Sequence, residues 1–296
     1  MSEAELGAGV HAIVVRRTEV PLVEVRLVLP MSAEQIVHSA GPLVLAESVL
    51  AGTATHDRIA LAEAVGRLGG KLGASLSGDS VVFQASSLAG NLREILSLLA
   101  EVLTSATYPA HEVEGDRART ADGVTIALSQ PQTVADEAIY KRLFGRHPYG
   151  AGMPRPDSIG RVSAPRLRKL HSSLVRPTLA HLVLVGDIEP RRAIAVADEA
   201  ISEWSDHDAD HEATAIPASP PVERGPLVFV DRPGSVQSNI RIGGAMASRG
   251  DEDWPAAALA NAIFGGMFNS RLVENLRERN GYTYSPRSLV RHMRAA

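Results

Sequence analysis

The side chains that do chemistry in proteins are unevenly supplied in this chain. It contains no cysteine, which removes a disulfide framework, an iron–sulfur cluster, a thiolate zinc site and a cysteine nucleophile. Any metal would have to be held by His, Asp or Glu. Ten histidines are present, yet neither His-x-x-Glu-His nor His-Glu-x-x-His, the spacings that put two imidazoles on one helical face, occurs in the sequence. The densest set of metal-capable residues is Asp206-His207-Asp208-Ala209-Asp210-His211-Glu212. Its two histidines at i and i+4 would suit a divalent ion if the run were helical, but its acidic, Pro-flanked context reads as a solvated linker. His147, in His147-Pro148-Tyr149-Gly150, reads as a structural histidine. The glycines at 66, 69, 70, 73 and 78 are not followed by Gly-Lys-Ser/Thr, so they form no phosphate-binding loop and read as a helix end and tight turns.

These residues must be positioned by a chain of 296 residues, 45% hydrophobic and 22% charged. At roughly 150 residues per domain that predicts about two globular units. The net charge of −4 supplies no basic field for a phosphate backbone, which argues against a nucleic-acid partner. Residues 1–9 lack the basic start and apolar block of a signal peptide, and no window approaches 18 uncharged apolar residues, so the expectation is a soluble, cytoplasmic protein with no membrane contact.

Strands are expected over 10–17 and 22–29, paired as a hairpin, and over 71–76, 81–86 and 180–185. Helices are expected over 41–50, 59–68, 92–104, 111–128, 134–144, 165–174 and 191–204. Prolines 217, 220, 221 and 226 then interrupt both helix and sheet. Beyond them the pattern predicts strands over 227–230 and 238–243 and helices over 254–265 and 270–279. The fold class is therefore α+β, an antiparallel sheet packed with helices and repeated in two related units. Its organisation reads as a first unit over 1–205, a linker over 206–226 and a shorter, incomplete second unit over 227–296.

Three ordered segments in the second unit carry more information: Asp231-Arg232-Pro233-Gly234-Ser235-Val236-Gln237-Ser238, Phe264-Gly265-Gly266-Met267-Phe268-Asn269-Ser270-Arg271-Leu272, and Leu276-Arg277-Glu278-Arg279-Asn280-Gly281-Tyr282-Thr283-Tyr284-Ser285. With the helix over 41–53, the loop Phe144-Gly145-x-His147-Pro148-Tyr149-Gly150 and the strand end 183–187, they closely resemble the M16 metallopeptidases, the insulinase, pitrilysin and mitochondrial processing peptidase family. The resemblance runs through nearly the whole chain and implies the LuxS/MPP-like metallohydrolase fold in both units.

Active members of that family carry His-x-x-Glu-His on a helix and a third ligand, Glu, about 77 residues further on. Two imidazoles and a carboxylate then hold zinc with one position open, and the Glu between the histidines serves as base. Here the His positions correspond to Val44 and Ser48, the third ligand to Thr125, and only the base position, Glu47, is retained. Val offers no lone pair and neutral hydroxyls are poor zinc ligands, so no metal or other cofactor is expected in this chain. Zinc is expected in a partner.

The resemblance further implies that Arg277 and Tyr284, seven residues apart, are the family's paired substrate groups. A guanidinium would hold the peptide backbone, and a phenol would donate to the carbonyl oxygen as it becomes an oxyanion. A purely structural reading makes Arg277 a helix-end cation and Tyr284 a sheet aromatic, with Tyr282 on the same face of a strand. Gly265-Gly266 fits either turn chemistry or a family loop near the substrate path. The expected function is that of a non-catalytic, substrate-binding subunit in a heterodimer with a zinc-bearing M16 paralogue, acting on unfolded peptides and not hydrolysing them alone. The alternative is an inactive scaffold or assembly homologue.

Overall fold

The computed structural model describes residues 1–206, 215–223 and 225–295. The His/Asp run over 207–212 lies outside the described residues.

A six-stranded sheet forms the first unit: β1 (Ser2–Glu5), β2 (His11–Arg16), β3 (Leu22–Pro30), β4 (Lys71–Ser77), β5 (Ser80–Leu88) and β6 (His181–Gly186), in the order β1-β2-β6-β3-β5-β4. The expected hairpin between the first two apolar stretches does not form. β6 lies between β2 and β3, parallel to the former and antiparallel to the latter. Leu184 thereby sits in one row with Val14 and Val25, and all three are fully buried. The physical reason is in β6 itself: Leu182-Val183-Leu184-Val185 is apolar on both faces, the pattern of a central strand. The remaining strand pairs are antiparallel. Close approach of β3 makes Gly186 obligatory, since a Cβ there would lie 2.2 Å from the Leu22 carbonyl oxygen.

Helices cover the sheet. After the short α1 (Ala33–Val37), opened by a Ser32/Gln35 capping box, come α2 (Ala40–Ser48), α3 (Arg58–Arg67), α4 (Leu92–Ser105), α5 (Ala110–Ser129), α6 (Pro131–Phe144), α7 (Pro156–Gly160), α8 (Ala164–Leu174) and α9 (Pro190–Ala200). In α4 the residues Ile95, Leu96, Leu99, Val102 and Leu103 repeat at helical spacing and are all buried. Each contributes about 2 kcal/mol of apolar transfer. α2 is buried on most of its surface, with Val44, Leu45 and Val49 at zero exposure, and it packs on α5 and α8. Between α4 and α5, buried Tyr108 hydrogen-bonds His171 Nδ1 at 2.8 Å, while His171 Nε2 donates to the Leu103 carbonyl at 2.8 Å. That pairing ties α8 to the α4–α5 corner and fixes the neutral tautomer of a histidine whose pKa burial lowers.

Beyond the linker the expected helices are present as α10 (Trp254–Asn261), continued by a π-helical turn at Ala262–Gly266, and α11 (Arg271–Val273), continued by a π-helical turn at Glu274–Arg279. The strands expected over 227–230 and 238–243 are not formed. Leu227, Phe229, Ile240 and Ile242 are exposed, Ile242 at 94%. Two such segments without further strands and a covering helix make at best a marginal pair.

Candidate functional site

Two places carry the candidate residues. In the first unit, α2 presents Val44 and Ser48 inward at zero exposure, one turn apart on one face, and Glu47 outward. The Ser48 Oγ is buried with no hydrogen-bond partner. Glu47 borders a cleft of about 390 Å³ between α2 and α5, whose other wall includes Asp116, Arg119, Thr120, Gly123 and Val124. Thr125 is not on that wall. It is exposed and its hydroxyl donates back to the Ala121 carbonyl at 2.9 Å, so the residues of α5 that face α2 are its neighbours.

The donor chemistry of this cleft is narrow. Asp116 is a buried carboxylate, but Arg58 binds one oxygen at 2.7 Å and Arg119 binds the other, which leaves its charge compensated by two guanidinium groups. No imidazole lines the cleft, and among the described residues no three His, Asp or Glu side chains converge. One exposed carboxylate, one neutralised carboxylate and one hydroxyl, that of Thr120, do not fit a three-ligand zinc centre.

In the second unit, Ser270 caps α11 through its hydroxyl, and the helical segment runs on to Arg279. Gly281, at φ +64°, reverses the chain as only a residue without Cβ does readily. Its amide donates to the Arg277 carbonyl at 3.0 Å and that of Tyr282 to Leu276 at 2.9 Å. The reversal returns the chain over the helix and lays the Tyr284 ring under the Arg277 guanidinium, 4.4 Å from Cζ to ring centroid. Phe268 holds the same guanidinium at 5.2 Å, a contact that residue types and spacing did not announce. Arg277 Nε also lies 3.1 Å from Glu278.

The structure therefore brings Arg277 and Tyr284 together. Tyr284 is 78% exposed and its hydroxyl is free to meet another molecule, while the guanidinium is held by two rings. No strand forms over 282–284, so the expectation that Tyr282 and Tyr284 share a sheet face is corrected: only Tyr284 stacks on Arg277. Gly265 is tightly enclosed, a Cβ there falling 2.8 Å from Ser288.

Residues 45–157 match the model of the insulinase family, peptidase family M16, and residues 161–294 match that of the peptidase M16 inactive domain. The chain belongs to peptidase family M16. An uncharacterized zinc protease of Mycobacterium leprae is 24% identical over 79% of this chain and 52% of its own length. One of Bacillus subtilis is 21% identical over 79% of this chain and 56% of its own. The chain thus spans about half the length of the curated relatives it matches. Among solved structures, the peptidase M16 inactive domain from Pseudomonas fluorescens aligns over 96% of this chain and 69% of its own, with a TM-score of 0.76 at 23% identity. A protease from Helicobacter pylori aligns over 96% and 70%, with a TM-score of 0.79 at 17% identity. Both likenesses establish the α+β M16 fold. No helix among the described residues is long and apolar enough to cross a membrane.

Proposed function

We propose that this M16 chain is a non-catalytic, substrate-binding subunit that pairs with a zinc-bearing paralogue and lends side chains to a peptide site completed by that partner. One juxtaposition carries the reading. The helix face where active relatives place two imidazoles holds Val44 and the unpartnered Ser48, whereas Tyr284 is exposed and stacks on the half-buried Arg277.

An exposed phenol is a hydrogen-bond donor able to meet a carbonyl oxygen as negative charge builds on it. The guanidinium, fixed between Phe268 and Tyr284, offers donors and charge to a peptide backbone without first losing rotamer freedom. Neither group cleaves a peptide bond, and Glu47 with no metal beside it has no water to activate. The first unit supplies a rigid frame; the catalytic metal belongs to the partner.

The reading is tested by coexpressing the chain with a zinc-bearing M16 paralogue from the same organism. Size-exclusion chromatography at micromolar concentration should show one complex, and elemental analysis should find zinc with the partner and none bound stoichiometrically to this chain alone. Separate elution, or about one zinc per isolated chain after dialysis, would overturn it.

A further inference from the structure

A third constellation shares no residue with either place above. Asp79, in the turn between β4 and β5, is 8% exposed. The first unit gives its carboxylate the Tyr149 hydroxyl at 2.7 Å and the Ser80 hydroxyl at 3.3 Å, but no cation. A buried carboxylate without a counter-charge is costly. Among the described residues the counter-charge comes from a distant part of the chain. Arg294 Nε lies 3.5 Å from Asp79 Oδ2, and the same guanidinium donates to the backbone carbonyls of Asp79 and Met31.

The backbone is read as well as the side chain. The Arg294 amide donates to Asp79 Oδ2 at 3.0 Å, and the Ala295 amide donates to Tyr149 Oη at 3.1 Å. Met293 and Ala295, the flanking residues, pack on the apolar core. Tyr149 therefore donates to Asp79 and accepts from the docked segment, and burial together with the neighbouring carboxylate pushes its pKa up to about 12. The linker joins the same arrangement. His147 Nδ1 accepts from the Tyr149 amide at 3.3 Å, which leaves the proton on Nε2, and that donates to the Pro217 carbonyl at 2.8 Å. The Ser219 amide then donates to the Ala295 carbonyl at 2.9 Å.

We propose that Asp79, Tyr149 and the Met31 carbonyl form a peptide-binding seat for an extended segment in which arginine is followed by a small residue, and that residues 293–295 occupy it in cis. The seat recognises three things: a guanidinium, through one carboxylate and two carbonyls; two successive backbone amides, through Asp79 and Tyr149; and a small side chain after the arginine, because Ala295 lies against the core. Its occupation straps the end of the described chain and the linker residues 217–219 onto the His147–Gly150 turn. A segment of the same chemistry arriving from another molecule would compete for the seat and release the strap.

The experiment uses the full-length chain. Arg294→Ala takes the guanidinium out of the seat and loosens the strap, and a fluorescein-labelled pentapeptide, Arg-His-Met-Arg-Ala, is titrated against it by anisotropy. The loosened chain is expected to bind the peptide at least tenfold more tightly than wild type, whose own segment competes. Adding Asp79→Asn should abolish that binding. Adding Tyr149→Phe, which keeps the ring and removes one acceptor, should weaken it several-fold even if Asp79→Asn perturbs folding. Hydrogen exchange at the Arg294 and Ala295 amides in the wild-type background reads the strap directly, and Tyr149→Phe should accelerate it about tenfold with β3 and β5 amides unchanged. Equal peptide affinity in wild type and Arg294→Ala, or exchange unaltered by Tyr149→Phe, would overturn the proposal.

Discussion

Replacing Ser48 with alanine should make the protein more stable. The resemblance to M16 peptidases sets this hydroxyl against their second imidazole ligand, and here it is wholly buried with no partner. An unsatisfied buried hydroxyl costs about 1–3 kcal/mol. Its removal also gains about 0.5 kcal/mol in helix propensity, serine to alanine, within α2. Against this stands the void left by one oxygen, smaller than a methyl group and below about 1 kcal/mol. The net expectation is a gain of about 1–2 kcal/mol, or about 3–6 °C in Tm for a unit of this size. Urea denaturation followed by circular dichroism, with a thermal scan alongside, measures it. A metal chelator should leave both wild type and variant unmoved. A loss of about 1 kcal/mol or more on Ser48→Ala would refute the reasoning, because it would mean that the Oγ has a partner and that the position still does something.

Tyr108→Phe should cost about 1.5 kcal/mol in the same assay, since it strips the donor from His171 Nδ1 and leaves a buried acceptor unpaired; no change would show that the tyrosine is held by packing alone. The Asp206 side chain, 12% exposed, lies against buried Arg176, which binds both of its oxygens. Burial opposes its ionisation, but hydrogen bonds from Arg176 and Thr178 and the guanidinium charge outweigh that and hold its carboxyl below the usual carboxylate range. Its stabilisation is therefore present above that range and lost as pH falls through the folded-state pKa. Asp206→Asn should cost about 3 kcal/mol near neutrality and flatten the acid limb of the stability–pH curve; an unchanged acid limb would remove Asp206 from it.

Local chemistry was legible where a pattern is self-sufficient. The buried stripe of α4, the helix through Val44 and Ser48, and the apolar run Leu182–Val185 all announce themselves by period and composition. The place of that run in the sheet did not, because adjacency in sequence favours a β2–β3 hairpin and nothing local tells the chain to insert β6 from far along the sequence. The segments over 227–230 and 238–243 have strand composition but no strand pairs with them among the described residues, and propensity alone does not order a strand. The resemblance to M16 peptidases paired Arg277 with Tyr284, yet the stack depends on the reversal at Gly281, and the contribution of Phe268 is visible only once the chain has folded back. The Asp79–Arg294 contact spans 215 residues and had no signature beyond an isolated acid and an isolated base.

The central claim is that Tyr284 of a chain without its own zinc acts on a reaction completed by another chain. It is tested by the turnover of a peptide in the reconstituted complex, comparing wild type with Tyr284→Phe and using the equally exposed Tyr282→Phe as control. Loss of one oxyanion donor costs about 3 kcal/mol of barrier, so Tyr284→Phe should lower kcat about a hundredfold while Tyr282→Phe leaves it within a factor of two or so. Equal kcat for wild type and Tyr284→Phe in an active complex would contradict the account and leave this chain a scaffold.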